Sequence, residues 1–136
     1  MTGWVGFALM ALGLWGVWGF LSKVATRHLP FFAVYLIAIA GHLVVVAYLG
    51  AAGRLAVPWH PFGVAAAGAS GVCMAFGLLC FFQALSRGAA TLVVPFTALY
   101  PVVTVALSWV FLRESLGPRQ LAGVVLAALA TWLLSR

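Results

Sequence analysis

The chain has 136 residues, of which 66% are hydrophobic and 6% charged, with a formal net charge of +6 and a mean hydropathy of +1.21. A soluble domain of this length has one small core and cannot absorb so much apolar surface, so the composition describes an integral membrane protein in a lipid bilayer. The basic residues stand singly or in pairs at the ends of apolar runs, which excludes a nucleic-acid surface, and a single acidic residue with three histidines excludes paired-carboxylate enzymes and leaves no ligand set for a metal or cofactor.

Five apolar runs follow one another, over 4–21, 31–49, 62–85, 90–112 and 119–134, and together make one membrane domain over 1–136. The expected fold class is therefore all-α, with five transmembrane helices and the two termini on opposite sides. No Lys or Arg precedes the first run, and Trp15 and Trp18 stand where a cleaved leader would carry small residues, so this run is read as a span. Its Gly3, Gly6, Gly13 and Gly16 share one broad sector, suited to close approach of another helix, while Trp4, Ala11, Trp15, Trp18 and Ser22 line the opposite one. Trp4 suits an interfacial anchor. Trp15 and Trp18 lie deeper, where they either pack as bulk or offer aromatic walls to a flat or cationic solute.

Lys23, Arg27 and His28 separate the first run from the second. The second run holds His42, the ionisable side chain nearest the middle of a span, and Tyr35 lies on the same face two turns earlier. Intramembrane ionisable groups are functional candidates by default, the alternative being a neutral imidazole bonded to Tyr35 or to a carbonyl. His28 and His60 fall at span ends and read as interfacial. In the third run Ser70, Cys73, Gly77, Cys80 and Ala84 make a small, weakly polar stripe, usual for helix contacts. The two cysteines are seven positions apart on one helix, too far for an intrahelical disulfide.

The fourth run carries the clearest polar pattern. Stepping about 100° per residue, Thr97, Pro101, Thr104 and Ser108 fall in one sector with Tyr100 at its edge, and the remaining faces are apolar. Pro95 and Pro101 lack backbone donors and are expected to kink the helix by freeing the carbonyls of Thr91 and Thr97. Such backbone is tolerated in a bilayer where other helices or a water-filled cavity satisfy it. The stripe reads in two ways: hydroxyls bonding back to their own helix, or the wall of a solute path.

In the last connection Glu114, beside Arg113 and near Arg119, suits an interfacial ion pair. Gly117 and Pro118 suit the entry to the fifth helix, whose Gly123, Ala127, Ala130 and Thr131 form a small-residue face for helix packing or dimerisation. Counting basic residues by side gives Arg54, Arg113 and Arg119 against Lys23, Arg27, Arg87 and Arg136. The positive-inside signal cancels, and a chain without orientation preference can insert both ways and pair as an inverted two-fold dimer.

A resemblance becomes specific at this point. Ala84-Leu85-Ser86-Arg87-Gly88, Pro95, Tyr100-Pro101, Glu114 and the Gln120-x-x-Gly123 start of the last span resemble the repeat unit of EamA-type members of the drug/metabolite transporter superfamily. Leu14-Trp15-Gly16 with Lys23 is similar to that family's opening helix. The resemblance implies one half of a ten-helix inverted-repeat bundle, whose first four helices line a cavity and move small organic solutes by alternating access. A single repeat would need an antiparallel second copy or a sister subunit to complete that cavity. The first span lacks the carboxylate that four-span multidrug relatives use for proton exchange, which leaves His42 as the central candidate for any proton coupling. On this reading the chain is a multi-pass subunit of a bacterial or archaeal inner membrane. It holds a small polar or amphiphilic substrate between Trp15 and Trp18, Tyr35 and His42, and Thr97, Tyr100, Thr104 and Ser108. Its alternatives are a subunit of a heterodimeric lipid-linked sugar flippase and a non-transporting assembly partner.

Overall fold

The computed structural model describes residues 3–57 and 59–134, with side chains from position 5 onward; the anchoring role of Trp4 and the charge of Arg136 lie outside the described residues and side chains. The elements are α1 (Gly3–His28), α2 (Phe31–Ala51), α3 (Pro61–Arg87), α4 (Ala90–Thr97), α5 (Tyr100–Phe111) and α6 (Pro118–Leu134), and no strand occurs among the described residues. Helices α1, α2, α3 and the combined run Ala90–Phe111 are each long and apolar enough to cross a membrane. At 17 residues, α6 spans about 25 Å, slightly less than a hydrocarbon core, so its ends reach the interface. The chain is an all-α, multi-pass membrane protein made of two compact bodies, Met1–Arg87 and Gly88–Arg136.

In the first body α3 packs against both α1 and α2. Helix α1 continues past position 21 to His28 because hydropathy falls there while helix propensity does not: Ser22 to His28 contains no Gly or Pro, and the first breaker is Pro30. Arg27 and His28 in its last turn complement the negative end of the helix dipole. The buried side of α1 is the Trp18, Gly19 and Ser22 sector, and the space beside Gly6, Gly13 and Gly16 is open. Trp18 therefore faces the partner helix, and the glycine sector expected to do so does not. Helix α2 ends in a Schellman motif: Gly53 takes φ +67, Arg54 N–H bonds to Leu49 O at 2.9 Å and Gly53 N–H to Gly50 O at 3.0 Å. Helix α3 opens on Pro61, and the Gly63 N–H donates to His60 Nδ1 at 3.1 Å, so His60 caps the start of this helix.

In the second body α4 packs against α6. The fourth span is interrupted at Ala98 and Leu99, where Leu99 N–H bonds to Phe96 O at 3.3 Å and Val102 N–H to Leu99 O at 2.9 Å in three-residue turns. Pro101 sits in the first turn of α5 and has no N–H to continue the ladder. Pro95 lies inside α4 without breaking it, so the interruption belongs to one of the two prolines. Along α6 the inward face is Val124, Ala128 and the buried Thr131, while Gly123, Ala127 and Ala130 are exposed. The expected small-residue face is thus divided. Thr131 belongs to the packed face one step around the helix, and the other three residues remain open within the chain.

Candidate functional site

Four of the expected site residues fall in the first body. Trp18 stacks on Phe81 with centroids 5.0 Å apart and planes at 20°, and lies 6.1 Å from Phe82. It joins α1 to α3 and keeps 38% of its surface exposed, whereas Trp15 is 63% exposed. Tyr35 is half-buried and His42 exposed. His42 Nδ1 lies 3.3 Å from Ala38 O, one turn back along its own helix, and no hydrogen bond joins it to Tyr35 among the described residues.

Lys23 gains a role that its position at the end of an apolar run conceals. Its ammonium donates to Leu85 O at 2.6 Å, and Leu85 is in the last turn of α3, where carbonyls lack intrahelical donors and the dipole is negative. Leu85 and Phe82 are fully buried, and Ser22 beside Lys23 is buried with its hydroxyl on Trp18 O at 2.7 Å. Lys23 stands about 100° around the helix from Ser22 and about 140° from Trp18, so its long side chain, rather than its position on the packed face, carries the ammonium to α3.

The other four residues fall in the second body. The Thr97 hydroxyl reaches Val93 O at 2.9 Å and Val94 O at 3.0 Å, and the Thr104 hydroxyl reaches Tyr100 O at 3.2 Å. Both donate to carbonyls one turn back, which satisfies the protons while leaving the hydroxyl oxygens able to accept. Thr97, Tyr100, Pro101 and Thr104 are exposed and Ser108 half-buried, so the polar stripe is an open face of this body.

Between α5 and α6 is a cleft of about 220 Å³ lined by Thr104, Val105, Ser108, Trp109, Glu114, Ser115, Leu116, Gln120 and Val124. It joins the lower half of the stripe to the chain's single carboxylate. Arg113 adopts φ +53, a left-handed turn uncommon outside glycine, and Glu114 N–H closes it on Ser108 O at 3.4 Å. The ion pair expected of Glu114 with Arg113 or Arg119 does not form among the described residues; after this turn Glu114 lines the cleft, and neither arginine does. The Gln120 oxygen accepts from Gly117 N–H at 2.8 Å, fixing the entry to α6 as the glutamine of a capping box does.

The sequence matches the EamA-like transporter family over residues 2–136. An uncharacterized protein of Methanocaldococcus jannaschii is 31% identical over 127 residues, covering 93% of this chain and 92% of the relative. No solved structure matches. A match along nearly the whole chain, on an all-helical body with apolar spans and a polar-striped, proline-broken fourth span, places this chain in the EamA-like transporter family.

Proposed function

We propose that the chain is a subunit of an inner-membrane transporter that moves small polar or amphiphilic organic metabolites by alternating access, working as an antiparallel homodimer. The observation that carries this reading is the family match over residues 2–136 on a chain with a single five-span unit. The near-even division of basic residues, three on one side and four on the other, supports insertion in both orientations and hence an inverted pair. The open Gly123, Ala127 and Ala130 face of α6, with free space at the Gly123 Cβ position, supports close pairing with a second helix. Exposure of His42, Thr97, Tyr100 and Thr104 supports their use as solute contacts, since polar groups on lipid-facing surface would be costly.

Flux through reconstituted vesicles tests the function. Radiolabelled amino acids, a hexose and a polyamine serve as probes, and at least one is expected to equilibrate faster than in protein-free vesicles. Thr97→Val and His42→Leu should each slow that flux by about threefold or more, the kinetic equivalent of one lost hydrogen bond. Flux indistinguishable from empty vesicles for every probe, or unchanged in both variants, overturns the reading. Impermeant labelling of single cysteines near each terminus, with Cys73 and Cys80 replaced, tests the pairing: about half of the chains should label at either end if both orientations are used.

A further inference from the structure

We infer that the cleft between α5 and α6 is a binding site for a small ammonium group. Its volume of about 220 Å³ would hold roughly seven waters at about 30 Å³ each, or the head of a small amine, and is below the size of drug-binding pockets. The lining decides the charge of the guest. Glu114 is the chain's one acidic residue and lines the cleft, and no lysine or arginine lines it.

The remaining groups fit the same guest. Neither the Glu114 carboxylate nor the Ser108 and Ser115 hydroxyls have a hydrogen-bond partner within the described chain, so three polar side chains with accepting oxygens share one concave surface. The Thr104 hydroxyl already donates to Tyr100 O and offers its oxygen as a further acceptor. Trp109 adds an indole, the ring that attracts cations most strongly. An anion would meet the carboxylate without a cation to offset it, and an apolar guest would leave these oxygens desolvated and unpaired. A protonated amine supplies N–H donors to several acceptors and charge to one carboxylate.

The cleft lies at the end of the fourth span, where either a dissolved amine or the ammonium of a lipid headgroup could present the same chemistry. As the charge-reading part of a solute path the site rests on the transport proposal; as a binding site it does not. The test is calorimetric titration of n-butylammonium chloride into the full chain in dodecyl maltoside at constant ionic strength. Saturable binding is expected for the native chain, Glu114→Gln should weaken it by about tenfold or more, and Glu114→Asp should stay within about threefold. Helix content by circular dichroism identifies a variant that fails to fold, in which case Ser108→Ala and Ser115→Ala, each weakening binding by a few-fold, carry the test. Added phosphatidylethanolamine distinguishes the sources: competition assigns the site to a headgroup, and none assigns it to a solute. Absence of saturable binding, equal binding by Glu114→Gln, or equal binding of n-butanol overturns the inference. If n-butylammonium binding fails while vesicle flux of other probes persists, the inference fails alone; if all flux fails while binding persists, the transport proposal fails alone.

Discussion

The two bodies hold themselves together by different means. In the first, contacts run between helices: Trp18 stacks on Phe81, Lys23 reaches Leu85 across 62 positions, and Phe82 and Leu85 are fully buried. In the second, the Thr97, Thr104, Gln120 and Thr131 side chains bond groups three or four positions away, and the buried residue of α6 is a threonine. Large aromatics and a capping cation fix helix to helix, so the first body is a scaffold. Hydroxyls that satisfy themselves locally leave a polar face and a cleft uncommitted to helix packing.

The largest effect should come from the first body's core. Phe82→Ala is expected to cost about 1.5–3 kcal/mol, less than in a soluble protein because a helix released into lipid loses packing but gains no water contact. Phe111→Ala, at a position 76% exposed, should stay within about 0.5 kcal/mol. Unfolding by sodium dodecyl sulfate in mixed micelles measures both. Equal losses would erase the distinction between scaffold and open face.

Next in size is the link between α1 and α3. Lys23→Met keeps the aliphatic stem and removes the ammonium, and should cost about 1.5–2 kcal/mol, the lower part of the range for a hydrogen bond with one charged partner. Hydrogen exchange should show the amides of Ser86 and Arg87, in the turn that Lys23 caps, losing protection. Thr104→Val is the matching change in the second body and should cost less than about 0.5 kcal/mol, since its hydroxyl only supplements a carbonyl of its own helix. If the threonine change costs as much as the lysine change, the hydroxyl is engaged beyond its own helix.

What could be read in advance follows the same division. The five spans were legible because long apolar runs are rare for any other reason, and the break in the fourth was legible because Pro101 cannot donate. Pro95 carries the same chemistry and leaves α4 unbroken, so a missing donor alone does not locate a break. Lys23 was hidden because a fall in hydropathy looks like the end of a span, although the helix needs only permissive residues to continue. Glu114 beside two arginines suggests an ion pair in one dimension, but a left-handed turn at Arg113 sets that residue into a cleft that the arginines do not line. The Thr131 face was misplaced by one position on α6, because small residues on adjacent faces give the same spacing and only packing against α4 chooses between them.

The most local of the expected losses concerns Gln120 and bears most directly on whether the second body's polar bonds are local. Its side-chain oxygen accepts the Gly117 N–H at 2.8 Å, one of the donors that a helix start leaves unpaired. Gln120→Ala should cost about 0.5–1 kcal/mol, the usual worth of a cap. The loss should appear as faster exchange of the Gly117 and Leu121 amides, while Thr131, which bonds Ala127 O at 2.9 Å in the same helix, keeps the protection of the amides around it. Gln120→Glu retains an accepting oxygen and adds negative charge near the positive end of α6, so it should hold the first turn at least as well as the native residue. A uniform loss of protection along α6 in Gln120→Ala would mean that the cap supports the helix as a whole, and that the cleft wall is built cooperatively rather than one turn at a time.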